Sequence, residues 1–462
     1  MGTRHGMLAH YWAVGSIVLG TTAALGQMPI LEQPQQLPIE TSACGDIAQA
    51  VPFAADWDND GKKDLLVGEM KAAKVRLFLN TGTDTEPLFL EYEYLQAGGS
   101  TLRAGFACAH RSYPQVLDWN NDGEKDLISG TTTGYVILFL NTSDVSQPAL
   151  QKATRVKYGV ADINVGWEAA PCLTDWNGDG KKDLLVGCEA GTISLFLNVN
   201  SDEQPDFGPP SYVQAGGKTL VAEGGLSSPK HVDWDGDGVR DLLVGCSAGK
   251  VFFYKNQGTD TNPNLAAGEP LTTGEEVVDI GEDSCIDVVD WNNNGAFDLL
   301  VGGRSGWMYV VKRSPPVDAD EDGLPDEFEE TIVAFDPADA IDAITDVFAN
   351  DDLDGDGQTN RDEYIAGTDP TDPHDLSRVT ANIIPDTGEF LLSWPTRSGR
   401  TYQVLWYNEE LNAWQPVQWP VIQRAFGGRL SFRDHGINTI GDGDDSPGAP
   451  GVARRFYMIR TW

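Results

Sequence analysis

One phrase returns five times in this chain: Asp56-Trp-Asp-Asn-Asp-Gly-Lys-Lys-Asp64, then counterparts beginning at Asp118, Asp175, Asp233 and Asp290, at nearly even intervals. So regular a period means an array of like units, each too small to bury a core alone. Every phrase runs into Leu-Leu-Val-Gly, or Leu-Ile-Ser-Gly in the second copy, and then a glycine-containing turn. A β-rich segment follows, as in Val75 to Asn80 or Val136 to Asn141, then a variable stretch and a further strand such as Tyr94-Leu-Gln-Ala-Gly-Gly or Tyr212-Val-Gln-Ala-Gly-Gly. Four short strands per unit, punctuated by turn residues, predict the blade of a β-propeller. The fifth unit runs out after Trp307 to Lys312, one strand short, while Ile30 to Thr41 precedes the first phrase without a unit of its own. Pairing the two completes five blades over residues 28–313 and leaves no open sheet edge.

The phrase itself predicts a metal loop. Calcium takes six to eight oxygen ligands, which a tight loop presents from alternate residues while a glycine at the sixth position allows the sharp turn. The first loop offers Asp56, Asp58, Asp60 and Asp64 at positions 1, 3, 5 and 9. The second offers Asp118, Asn120, Asp122 and Asp126, and the third Asp175, Asn177, Asp179 and Asp183. The fourth offers Asp233, Asp235, Asp237 and Asp241, and the fifth Asp290, Asn292, Asn294 and Asp298. All five keep the glycine. Isolated Asp-Gly pairs are ordinary turns, but oxygen ligands at four set positions in five copies are not. Affinity follows ligand charge, so the fifth loop, with two carboxylates, is expected to be the weakest. The tryptophan after each first aspartate is expected to wedge between neighbouring blades.

On these residues the five units resemble FG-GAP and VCBS repeats, the calcium-loop blades also found in integrin alpha heads. That resemblance implies calcium as a structural cofactor. Integrin-type propellers have seven blades, so their ligand surface does not carry over to a ring of five.

Past Pro315-Pro316 two longer loops fit the twelve-position EF-hand pattern. Asp318, Asp320, Asp322, Asp326 and Glu329 form one; Asp352, Asp354, Asp356, Asn360 and Glu363 form the other. A glutamate at position 12 binds bidentately. Residues 325–335 and 338–349 read as helices. This segment, 317–374, resembles bacterial thrombospondin type 3 repeats, with dockerin modules as the rival. Residues 377–462 turn to short β-runs, enough for a small sandwich, and resemble a fibronectin type III-like domain. The expected fold is mainly β: a five-bladed β-propeller with a small helical calcium-loop module and a C-terminal β-sandwich.

Residues 1–26 place Arg4 before a short apolar run and end in Ala24-Leu25-Gly26, which reads as a secretory signal. The mature chain then has no membrane span and is secreted, periplasmic or held at the cell surface. A formal charge of -38 disfavours nucleic acid as a partner. Six cysteines admit 15 disulfide pairings, and sequence does not choose among them or against free buried thiols.

For function, Gly245-Cys246-Ser247-Ala248-Gly249 matches a nucleophile elbow, but the same turn one repeat earlier has Glu189 in the serine's place, and the elbow's strand-to-helix context is lacking. No catalytic residue is assigned. The loops entering the blades carry His110, Arg111, Tyr113, Trp167, Glu168, Lys230 and His231, which the ring gathers toward one end of its axis, a position suited to a ligand. The expectation is a non-catalytic binding or adhesion protein recognising a glycan or an extracellular protein. The alternative is a polysaccharide-active lyase or glycoside hydrolase of the propeller type.

Overall fold

The computed structural model describes residues 30–39, 47–105, 110–142 and 148–314 (without 123, 275 and 295), scattered positions from 324 to 371, and strands between 380 and 461. Five four-stranded antiparallel sheets form a ring. Their inner strands are Val51–Ala55, Ser112–Leu117, Ala170–Thr174, Ser227–Val232 and Cys285–Val289, each touching the next and the last touching the first. The second strands (Asp64–Gly68, Asp126–Thr131, Asp183–Gly187, Asp241–Cys246 and Asp298–Gly302) are buried along their whole length. That burial on both faces is why they read as an unbroken apolar run and not as an alternation.

Blade five closes as the strand count predicts. Its outer strand is Gln35–Gln36, antiparallel to Met308–Val311, with Gln35 opposite Val310 and Gln36 opposite Tyr309. An isolated bridge between Leu31 and Arg313 extends the pairing. Two otherwise unpaired edges, from the two ends of the propeller's sequence, thereby satisfy one another.

Two features lock blade to blade. Trp57, Trp119, Trp176, Trp234 and Trp291 are all buried, each in a cluster drawn from its own blade and the next. The glycine at or one residue before the end of each second strand is the other feature. A Cβ on Gly68, Gly130, Gly187, Gly245 or Gly302 would run into the backbone carbonyl oxygen of Ser112, Ala169, Ser227, Ser284 or Ala50, at the entry of the following blade. Five equivalent close approaches, the last from blade five back to blade one, make the Gly of Leu-Leu-Val-Gly a packing requirement of the ring.

The outer part of each blade differs from the sequence expectation. The strand read at Tyr94 to Gly99 is two elements: the blade's outer strand, Glu93–Tyr94, and then a separate hairpin of Gln96–Ala97 with Ser100–Thr101. Gly98 and Gly99 at its tip have φ of 57° and 77°, the left-handed pair that a tight two-residue hairpin turn needs. Similar hairpins follow blades two, three and four.

Beyond the ring, Leu324, Ile332 and Val347 form a small buried cluster, and helical residues occur at 328–329, 332–333, 360 and 363. Most of the helix expected over 338–349 lies outside the described residues. The C-terminal strands make two antiparallel sheets, one of Thr380–Ile383, Phe390–Thr396 and Gly428–Asp434, the other centred on Thr401–Asn408. Cys188, Cys246 and Cys285 are free buried thiols and Cys172 is buried, while Cys44 and Cys108 lie outside the described residues.

Candidate cation loops and axial mouth

Each inner strand runs from one end of the ring axis to a cation loop at the other end. The loops are built alike. Position 9 is a buried aspartate whose two carboxylate oxygens accept one backbone N–H each. Asp64 takes Trp57 N and Asn80 N, both at 2.8 Å. Asp126 takes Trp119 and Asn141, Asp183 takes Trp176 and Asn198, Asp241 takes Trp234 and Asn256, and Asp298 takes Trp291 and Arg313. This residue therefore ties the loop's start to the end of the third strand. Position 4 is Asn59, Asn121, Gly178, Gly236 or Asn293, all with positive φ, and position 6 repeats the left-handed turn at Gly61, Gly180 and Gly238. Asn and Gly are the residues that enter this region at least cost.

In two loops the carboxylates converge. In the first loop, carboxylate oxygens of Asp56, Asp58 and Asp64 lie within 4.8 Å of one another; in the fourth, those of Asp233, Asp235 and Asp237 do. These are the two loops with four carboxylates in the sequence. Asp56 Oδ1 and, in the second loop, Asn120 Oδ1 are buried without a hydrogen-bond partner. Burial pushes Asp64, Asp183 and Asp233 up to about 7 and Asp126 and Asp241 to about 8, with Asp298 at about 6. Crowded, desolvated carboxylates and orphaned acceptor oxygens are the donor set a hard divalent cation fits.

In the second module Glu329 and Glu363 are fully buried, and Asp352 Oδ1 accepts Gly355 N at 2.8 Å. Asn360 is buried, with Nδ2 on the Phe348 carbonyl at 3.0 Å and Oδ1 without a hydrogen-bond partner. Asp354 is described as well. Asp318, Asp320, Asp322, Asp326 and Asp356 lie outside the described residues.

At the opposite end, the residues seven before each loop are Gln49, Arg111, Glu168, Leu226 and Asp283, and here the fivefold likeness ends. Four of them, all but Arg111, hold φ between 46° and 57°. Non-glycine residues in this region cost free energy, and such strain gathers at functional sites. The Arg111 guanidinium, 2% exposed, has Nη1 at 3.7 Å from Glu168 and 3.8 Å from Asp283, Nη2 on Cys285 Sγ at 3.2 Å, and Nε without a partner. Burial opposes its charge, but Cys285, Tyr113, Glu168 and Asp283 outweigh that and raise its pKa. Tyr113 donates to Glu168 at 2.6 Å; Gln49 and Ser247 donate to the two oxygens of Asp283. Val51, Tyr113, Ala170, Leu226 and Cys285, one from the entry of each blade, pack together as a buried cluster at this end, which we call the axial mouth.

Of the residues expected at this end, the fold brings Arg111, Tyr113 and Glu168 together and adds Asp283 and Gln49. Trp167 stands beside them, 56% exposed, and His110 is exposed. Lys230 sits deeper on the axis, 3.1 Å from Asp287 and over the Phe53 ring. His231 points away, between blades three and four, bonded to Thr174 and stacked on Trp176 with its pKa lowered by burial.

Comparison with known proteins agrees with the blades. Residues 118–186 and 233–301 match the FG-GAP-like repeat. The chain carries FG-GAP-like repeats. It is similar to integrin alpha-IIb of Homo sapiens, 30% identical over 166 residues that cover 31% of this chain and 15% of that protein. Integrin alpha-4 of Xenopus laevis is 27% identical over 164 residues, 32% of this chain and 15% of the relative. The match thus spans about 15% of the length of these relatives. Among solved structures, an alpha-L-arabinofuranosidase of Podospora anserina in complex with cellotriose aligns over 62% of this chain and 99% of its own at 12% identity and a TM-score of 0.41, too loose a likeness to bear on the FG-GAP-like chain's activity.

Proposed function

We propose that this chain is a calcium-stabilised recognition protein that works outside the cell and binds an extracellular protein at the axial mouth of its propeller. The convergence of Asp56, Asp58 and Asp64, with Asp56 Oδ1 buried and unbonded, carries the metal half of this reading. Calcium would be held by the side chains at positions 1, 3, 5 and 9 and would offset the mutual repulsion of those carboxylates. Its role is structural. The mouth supplies recognition: an exposed tryptophan beside a carboxylate and a buried arginine gives an apolar face next to fixed polar groups, the composition of a binding anchor. Among the described residues no helix is long and apolar enough to cross a membrane.

A glycan ligand, or a polysaccharide-cleaving activity, is a second reading, favoured by two carboxylates flanking one guanidinium at the mouth. Extracellular proteins and glycans would be arrayed and probed with the wild type and Trp167→Ala in calcium. Binding to a protein that Trp167→Ala abolishes supports the first reading. Release of sugar fragments from a polysaccharide would replace it with the second.

A further inference from the structure

Position 8 of the five loops is Lys63, Lys125, Lys182, Arg240 and Phe297 in chain order. The four basic side chains reach out of their own loops. Lys125, of the second loop, donates to the Asp56 carbonyl and lies 4.0 Å from Asp56 Oδ1, inside the first loop. Lys182, of the third, donates to the neutral Asn121 Oδ1 in the second and lies 3.4 Å from Asp202 of its own blade. Lys63, of the first, donates to Asn293 Oδ1 in the fifth at 2.6 Å, and Asp84 bridges the pair by accepting from both. Arg240, of the fourth, pairs instead with Asp260 of its own blade at 3.0 Å, from where its charge is felt at Asp175 in the third. Of the four, it is Lys125 that lies against a carboxylate at a ligand position of the neighbouring loop.

The series breaks once. Phe297 packs into the core between blades four and five, and sends no charge to the fourth loop. There the fourth blade's own Lys255 takes the place, with Nζ on Asp235 and 2.8 Å from Asp237.

We propose that Lys125 is the resident counter-ion of the first loop, expelled when a divalent cation enters, so that metal binding in blade one is registered at its interface with blade two. The inference rests on the loops being divalent-cation sites. An ammonium group and a divalent cation cannot share the same oxygens, because like charges at that distance repel strongly in a partly buried site. Lys125 therefore stabilises the ion-free first loop and competes with the metal for it. In the fourth loop the counter-ion is Lys255 of the same blade, so filling that loop displaces no group of a neighbour.

The test is calcium titration calorimetry on the full chain, with melting in chelator, for the wild type and Lys125→Met, Lys125→Arg and Lys182→Met. Lys125→Met is expected to tighten one site about fivefold or more and to lower the ion-free melting temperature, whereas Lys182→Met, which removes an ammonium held by the neutral Asn121 and its own blade's Asp202, should leave the site affinities unchanged. Lys125→Arg keeps the charge and should stay close to the wild type on both counts. Calcium binding by the wild type with affinities unchanged in Lys125→Met, or tightened as much by Lys182→Met, would overturn the counter-ion role and leave the cation reading standing. A wild type that binds no calcium would overturn both.

Discussion

The two ends of the propeller obey different rules. At the loop end five blades repeat the same solution: an aspartate holding two backbone N–H groups and a left-handed turn at position 4, followed at position 6 by a second one at Gly61, Gly180 and Gly238. At the mouth the equivalent positions are Gln49, Arg111, Glu168, Leu226 and Asp283, with nothing in common but, in four of them, a strained backbone. Repetition marks what every blade needs in order to stand in the ring. Divergence at equivalent positions marks what the ring as a whole is used for. Stability should therefore live at the loops and blade contacts, and recognition at the mouth.

The largest effect is expected from the blade contacts. Gly187→Ala places a methyl group against the Ser227 carbonyl at a position where neither backbone can yield, and should cost about 3 kcal/mol in denaturant unfolding. Deleting residues 28–41 removes Gln35–Gln36 and should open two sheet edges, giving aggregation in light scattering. A stable monomer without those residues would break the ring account.

Next come the loops, where staple and ligand separate. Asp298→Ala leaves two buried backbone N–H groups unpaired and should cost about 3 kcal/mol with or without calcium. Asp58→Ala should lower melting only when calcium is present, and Asn292→Ala in the two-carboxylate loop should do so least. Equal losses from Asp58→Ala in calcium and in chelator would make that aspartate a structural turn residue.

The pH dependence follows in size. In the ion-free protein, burial raises Asp64 and Asp183 to about 7 and Asp126 and Asp241 to about 8. A carboxyl whose folded value is raised contributes stability that is complete below its unfolded value near 3.8 and is lost as pH climbs through the folded value. Chelated protein should thus melt at a lower temperature at pH 8.5 than at pH 5.5, and added calcium should flatten that slope. The smallest effect belongs to Trp167→Ala at the mouth: with the ring 56% exposed, melting should stay within about 0.5 kcal/mol of the wild type while ligand binding is lost.

Much of the loop end was legible because its requirements are local. Each loop needs its aspartates, asparagines and glycines at fixed offsets, and those offsets are written in five copies. The inter-blade glycines stood in plain view at the end of every Leu-Leu-Val-Gly, yet only the folded ring shows the carbonyl each one faces. Position 9 read as a ligand from spacing alone; of its two N–H partners, the one beyond the third strand comes within reach only once that strand has paired. The mouth was half legible. Arg111 and Tyr113 sit at the strand entry that the period marks, but Asp283 belongs to the entry of blade five and meets Arg111 only across the axis. His231 read as a mouth residue because it adjoins Lys230, and strand alternation sends the two side chains to opposite faces.

The central claim is that divalent cations in the propeller loops hold the ring together, and calorimetric melting in millimolar calcium against excess chelator tests it most directly. A site filled at 100 times its dissociation constant adds about 2.7 kcal/mol, so several sites emptied together should lower the propeller's transition by well over about 10 °C. Superimposable transitions in the two media would contradict it.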